Sequence, residues 1–372
     1  MKKILGCLLL LISMKVQAFQ YPYLLRSPTG LLMGDAFTAV NDDEYTLFYN
    51  PASLARHKHD LTVYPFSGHV SGTNVLNDLD RFKDFPKEPV GASEVLMDYP
   101  AHASAGVAPG FKFFNVGVTF IANESFDALL RNKTHPMLDL DLRSDRGIIA
   151  GVGFPIGPNR LSSKGGAGMQ TSLGVSAKFL KRKGIYDTLA LTGPTVTDSL
   201  SQDELGDVLK GLGQVEGQAW GFDAGVEHII RRGNAQIAFG LTALDITTTN
   251  FSVEKNEENL RVADIDDQVN FGMAAGQSLP LFHYILSADV RALNEQMDFG
   301  RRLRLGAQVG IPGITLMGGL NSGYYSYGAT LDLAFLKLTG GFYDVELGSK
   351  YKQTKSKRFI LYLSLFDFSF DA

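Results

Sequence analysis

The feature that most constrains this chain is a two-residue alternation that recurs in stretches of about ten residues from residue 102 to the end. Between Trp220 and Ile230 one parity reads Trp220, Phe222, Ala224, Val226, His228 and Ile230, and the other Gly221, Asp223, Gly225, Glu227 and Ile229. Residues 268–277 repeat the pattern, with Val269, Phe271, Met273 and Ala275 against Asn270, Gly272, Ala274 and Gly276. Residues 302–309 set Leu303, Leu305, Ala307 and Val309 against Arg302, Arg304, Gly306 and Gln308. Successive side chains of a strand point to opposite faces, so each stretch has one apolar face and one that is small or charged.

Weaker versions occupy 61–66, 103–108, 113–122, 147–154, 172–180, 235–246, 282–291, 313–321, 325–333, 335–344 and 358–370. The expected total is about fourteen strands of about ten residues, the length that crosses a bilayer when tilted. A soluble sandwich would use strands of about five or six residues. The expected fold class is therefore all-β, a transmembrane antiparallel β-barrel. A charge on the lipid face at mid-bilayer costs on the order of 2–4 kcal/mol, whereas a lumen tolerates it. Asp223, Glu227, Arg302 and Arg304 are thus expected to face the lumen, with room left there by the small residues of the same parity.

Residues 1–18 read as an export signal: Lys2 and Lys3, an apolar run from Ile4 to Ile12, and Val16, Gln17 and Ala18 as a small-residue cleavage pattern. Cleavage after Ala18 is expected, with export to a bacterial outer membrane. Too little apolar sequence precedes Cys7 for a lipoprotein site. Cys7 is the only cysteine, so the mature chain has no disulfide or thiolate metal site. Loss of Lys2, Lys3 and Lys15 takes the formal charge from −4 to −7, which argues against a nucleic-acid partner. The sequence offers no apolar run beyond residue 18 long enough for a spanning helix.

The expected layout is a signal at 1–18, a plug segment at 19–57 and a barrel at 58–372, with long polar loops near 70–100, 181–218 and 247–267. Pro312 and Gly313 allow only a tight turn, and tight turns at one end with long loops at the other are a barrel pattern. Ser201–Leu212 has helical spacing within one long loop, with Leu205, Val208, Leu209 and Leu212 on one side. The alternating aromatics that lead to Phe370 fit a closing strand.

Residues 27–55 do not alternate. Asn50 is a favoured helix cap, Pro51 suits the first helical position because its missing N–H needs no partner there, and Ala52–Ala55 can continue a turn. Leu47, Phe48 and Tyr49 lead in, and Ser27 with Pro28 repeats the device. The stretch from Gly30 through Gly34, the acidic Asp42, Asp43 and Glu44, and Phe48, Tyr49, Asn50, Pro51 and Ala52 resembles the N-terminal signature of FadL-like outer-membrane proteins and their PorV/PorQ relatives. The C-terminal part, with Leu303–Gly306, Met317–Gly323, Tyr327, Gly328, Leu331–Leu333, Phe342 and Tyr343, is similar to the PorV branch. Asp35 and Ser53 stand where relatives often carry Gly.

That resemblance implies a fourteen-stranded barrel whose N-terminal segment plugs the lumen. The FadL branch implies passage or binding of small hydrophobic, fatty-acid-like molecules. The alternative is a non-transporting barrel that binds a secreted or periplasmic protein, as in the PorV branch or a conjugation-associated TraF-like one. Outer-membrane lipids and the barrel-assembly machinery are the remaining expected partners.

Enzymatic and metal chemistry is not expected, and no cofactor is. His57 and His59 lack a third ligand, and Asp139, Asp141 and Arg143 read as a self-neutralised strand face more than as a Ca²⁺ site. The Gly151–Gly153 and Gly211–Gly213 pairs lack the spacing of a nucleotide loop. His283 and Ser287 share one face, but no orienting acid accompanies them. His228 shares the lipid-facing parity of Trp220.

Overall fold

The computed structural model describes residues 23–41, 43–56, 60–76, 78–83, 94–157, 167–190, 214–253, 262–333 and 335–371. The signal at 1–18, the pair His57 and His59, and the helix expected at 201–212 lie outside the described residues. So does the side chain of Phe370.

The alternating stretches form one closed antiparallel barrel of 14 strands. Strand β1 is Asp60–Tyr64 and Phe66–Thr73, split at Pro65, and β2 is Ala101–Val107 and Gly110–Phe113. There follow β3 Val116–Arg131, β4 Met137–Ile156, β5 Gly168–Ala190, β6 Val215–Arg232 and β7 Ala235–Leu244. The second half is β8 Gln268–Ser278, β9 His283–Val290, β10 Leu303–Ile311, β11 Ile314–Asn321, β12 Tyr324–Leu333 and β13 Leu336–Glu346. Strand β14 is Lys355–Leu365 and Phe368–Asp371. Each strand pairs with the next, and β14 closes the ring on β1 through Leu363 opposite Gly68 and Leu61 opposite Phe370. Ser252–Val253 continues the line of β7 along β6. Closure leaves no open edge to template pairing with another chain.

Alternation sorts the two faces. On β8, Asn270, Gly272 and Ala274 are buried while Phe271 and Met273 are exposed. The outward residues form an apolar band: Met169, Leu173, Val175 and Phe179 on β5, and Trp220, Phe222, Val226 and Ile230 on β6. Phe179 and Trp220 pack with ring centroids 5.1 Å apart. Just beyond them the same face turns charged, with Lys181 opposite Arg146 in the register and Glu124 nearby on β3. Apolar residues capped by aromatics and then by charge mark a bilayer and its boundary. We expect Val175→Arg to destabilise the barrel by about 2–4 kcal/mol, the cost of a cation at the lipid-facing midplane. Lys181→Gln, beyond the band, is expected to change little. Guanidinium unfolding in phospholipid vesicles reads both, and an unaltered midpoint for Val175→Arg places the band elsewhere.

The ends differ. At the end holding Asp60 and Asp371 most turns are short, and Gly233 and Gly313 adopt φ of +60° and +84° in two of them, although the link from Ile156 to Gly168 there is longer. The opposite end carries the long connections. The expected loop at 181–218 is shorter than its charge suggests, because β5 continues to Ala190 and β6 starts at Val215. Residues 181–184 keep the two-residue period, and Arg182 is fully buried against Asp145 on the inner face. A charged inward parity there looks loop-like in sequence, although the lumen pairs its charges. Likewise β1 runs to Thr73 before the 70–100 connection begins, and Ser252–Val253 pairs within the 247–267 one.

Candidate functional site

Residues 23–41 and 43–56 run inside the ring and supply much of its core, with Leu32, Met33, Tyr45, Leu47, Tyr49 and Leu54 buried among inward residues such as Ile149, Met317, Ile360 and Tyr362. Helix α1, Pro28–Leu32, starts as the sequence suggests: the Ser27 side chain accepts from Gly30 N and Pro28 occupies the first turn. The second capped turn, Pro51–Arg56, is a 3₁₀ helix. Asn50 Oδ1 accepts from Ala52 N at 3.0 Å, and its Nδ2 donates to Val226 O of the wall at 3.3 Å. The cap is thus also a strap to β6.

The small inward residues of the barrel are spaces occupied by this segment. A Cβ on Gly174 would lie 2.2 Å from Ala52 N, and one on Gly225 2.0 Å from Asn50 Oδ1. On Gly240 it would meet Thr38 O at 2.8 Å, on Gly306 Met33 O at 2.5 Å, and on Gly319 Gly34 N at 2.4 Å. Gly117 and Gly151 face Leu54 and Leu47, and Gly328 and Gly341 face Leu32. Gly34 has φ +65° and packs its Cα against the backbone of Leu305 and Leu320, so a side chain there is excluded on both counts. Gly30 sits against Tyr49 and Phe37. Of the other front-motif residues, Pro51 and Ala52 are buried, Tyr49 is buried and donates to Asp35, and Phe48 is half-buried.

Polar anchors complete the seating. Glu227 accepts from Ser53 Oγ at 2.7 Å and from Arg56 Nε and Nη2 at 2.9 and 2.5 Å, a bidentate pair. Asp289 accepts the backbone N–H groups of Phe37 and Thr38 at 2.9 and 2.8 Å. Asp35 accepts from Arg291 at 2.8 Å, pairs with Arg26 at 3.0 Å and accepts the Tyr49 hydroxyl at 3.0 Å. Asp43 accepts from Ser27 Oγ, and Glu44 accepts from Tyr362. Burial and the adjacent Glu44 push the Asp43 carboxyl up to about 6.

Asp223 is buried and takes Lys178 at 2.8 Å, Ser176 and the Asp245 backbone N–H. Arg304 is buried on β10, while Arg302 ends the one-turn helix Phe299–Arg302 just before that strand and is half-buried at the long-loop rim. Asp139 pairs with Arg131 and Asp141 with Arg143. Among the described residues no group of three or more His, Asp or Glu is placed to hold a metal. Ser287 is buried against Gly306, with His283 two inward positions away beside Gly310, and neither bonds to the other. His228 bonds Thr171 at 2.9 Å on the outer face.

The wall has one irregular sector. Three adjacent strands break at one level: β14 after Leu365, β1 at Pro65, and β2 after Val107. On the long-loop side of the breaks lies an outer hollow of about 450 Å³, lined by Phe66, Val70, Val107, Leu338, Leu361 and Leu363. Gly68 and Gly106 lie in it, and the inward side chains His69 and Tyr362 are reached between them. His69 also lines a lumenal cavity of about 80 Å³ with Ser71, His102, Asn123 and Asp127. Sequence reading missed this sector. Pro65 and Pro109 were its visible signals, since proline removes a ladder donor and marks strand breaks.

No family model matches the chain, and no curated protein matches it. Among solved structures the chain is similar to the CymD monoaromatic hydrocarbon channel at 10% identity, with a TM-score of 0.43 and 93% of this chain and 99% of that one covered. It is similar to the Ralstonia pickettii toluene transporter TbuX at 8% identity, TM-score 0.42, covering 94% and 100%. A third is CdiB from Acinetobacter baumannii at 10% identity, TM-score 0.36, covering 84% of this chain and 60% of that one. Scores of this size identify no family, and the barrel rests on its own strand register.

Proposed function

We propose that the protein is an outer-membrane channel through which small hydrophobic molecules pass, entering or leaving by the wall, with residues 23–56 as its plug. The observation that carries this reading is the apolar hollow on the bilayer face, whose inner limit, His69, also lines the lumenal cavity. An apolar solute partitioned in the membrane reaches that hollow without crossing water, driven by burial of apolar surface worth about 25 cal/mol per Å². The axial route is closed by the buried segment and the charge pairs around it, so exchange between hollow and lumen needs only local movement near Gly68 and Gly106.

Ala105 faces outward in the hollow, and Ala105→Trp fills it without touching the plug. We expect this substitution to lower uptake of N-phenyl-1-naphthylamine at least tenfold in cells whose outer membrane carries the protein. Leu316→Trp, on the outer face of β11, serves as control and is expected to leave uptake as it was. Equal uptake by Ala105→Trp and wild type above cells without the protein overturns the lateral route. Uptake no higher than in cells without the protein overturns passage itself.

A further inference from the structure

We infer that a small cavity at the long-loop end of the lumen, walled by Arg26, Arg291, Arg302 and Arg304, binds a single oxyanion: a carboxylate or a phosphate. The cavity has about 50 Å³ of free space. At roughly 10–15 Å³ per water, that is room for a few waters or one carboxylate- or phosphate-sized group, with any alkyl tail left outside the cavity.

A fifth arginine in the lining, Arg301, donates to Ser349 O, and the other four guanidinium groups come from separate places: Arg26 from the plug, Arg291 from just after β9, Arg302 from the turn before β10, and Arg304 from β10 itself. Arg291 and Arg304 are buried, and the Arg26 side chain is only 9% exposed. Each of the four has an Nε–H enclosed with no acceptor. Arg304 donates through Nη1 to the carbonyls of Arg301 and Leu303. Among the described residues it has no carboxylate partner.

Glu295 lies near Arg302, which donates to its backbone carbonyl, and three other carboxylates nearby are already committed. Asp35 serves Arg26, Arg291 and Tyr49, and Asp289, 3.9 Å from Arg291, accepts from Phe37 and Thr38. Glu346, which lines the cavity, accepts from Tyr324 and from the backbone N–H groups of Gly348, Gln353 and Thr354. The Tyr23 ring lies 3.2 Å below Arg26 and offers a face that attracts the cation. It does not supply oxygen acceptors to four Nε–H groups at once. Buried donors left without acceptors are costly, and so is a buried cluster in which Arg26, Arg291 and Arg304 share the one carboxylate of Asp35. One oxyanion in the cavity answers both, and the planar guanidinium fork suits it. Because Arg26 belongs to the plug and Arg304 to the wall, the anion would also bridge the two. This inference is independent of whether a solute passes through the wall.

The test is equilibrium binding of [³²P]phosphate to the full-length protein in nonionic detergent, with octanoate as competitor. One saturable site per chain is expected, weakened at least tenfold in Arg304→Gln and in Arg26→Gln, and unaltered in Arg231→Gln at the opposite end of the lumen. Arg304→Lys keeps the charge and is expected to stay within about threefold of wild type, while heat-modifiable gel migration confirms that each variant is a folded barrel. Displacement by octanoate at matching affinity assigns the site to acidic amphiphiles, and displacement by unlabelled phosphate alone assigns it to free phosphate. Absence of saturable phosphate and octanoate binding overturns the inference, as does binding by folded Arg304→Gln equal to wild type. Equal loss in folded Arg304→Lys and Arg304→Gln overturns the charge argument.

Discussion

Gly174→Val expels the turn Pro51–Arg56 from the lumen while leaving the barrel closed. The added Cβ would lie 2.2 Å from Ala52 N, 2.3 Å from Pro51 C and 2.5 Å from Ala52 Cα, all backbone atoms that cannot rotate away. Overpacking typically costs about 1–3 kcal/mol when side chains can yield, and here none can. Valine is a good strand residue, so the ladder of β5 with β4 and β6 has no reason to fail. Three readouts follow: tryptic cleavage after Arg56 at least tenfold faster, higher single-channel conductance in planar bilayers, and unaltered heat-modifiable migration. Gly233→Val is the contrast, since nothing lies within 4 Å of a Cβ there, although its φ of +60° makes the turn itself less comfortable. If the variant at position 174 resists trypsin and conducts like wild type, the turn does not sit against β5.

The same glycine shows how far the sequence could be read. Its alternation with Leu173 and Val175 declared an inward face of small residues, and that face implied free space. The approximate number of strands and the alternation of their faces were legible because the two-residue period is a local property of the chain. The capped turns at Ser27 and Asn50 were legible for the same reason, as caps and their prolines lie within three residues of one another.

What could not be read depends on contacts closed only by the ring. Asp35 meets Arg291 across 256 residues, and Glu227 meets Arg56 across 171. Nothing in the spacing of these residues announces their pairing. The charged stretch at 181–190 looked solvated because its partners, such as Asp145 for Arg182, sit on the neighbouring strand. The wall hollow was hidden because it is a property of three strands breaking at one level, and their sequence positions near 65, 108 and 366 are far apart. Local pattern fixes elements and faces, while sites arise from register between distant strands.

Asp35→Asn loosens the front of the N-terminal segment by about 3–5 kcal/mol, the usual cost of removing one partner from a buried ion pair. Asp35 is fully buried, with φ +62°, and asparagine tolerates that left-handed backbone as aspartate does. The substitution therefore keeps shape and conformation and removes charge alone, leaving Arg26 and Arg291 facing a neutral amide. Burial by itself would raise the Asp35 carboxyl, but Arg26 and Arg291 outweigh it and hold it below its ordinary 3.8. A carboxyl depressed in the folded state contributes its stability in full above the unfolded value and loses it as pH falls through the folded one. The wild-type segment should thus be equally protected from pH 8 down to about 4, and weaken only in more acidic solution. Hydrogen exchange of peptides covering residues 26–37, corrected for the intrinsic effect of pH, reads both statements. At pH 7 protection in Asp35→Asn is expected to fall at least a hundredfold, since each 1.4 kcal/mol is a factor of about ten. Protection equal to wild type would mean that the two arginines find other counter-charges and that Asp35 is not the anchor of this end of the N-terminal segment.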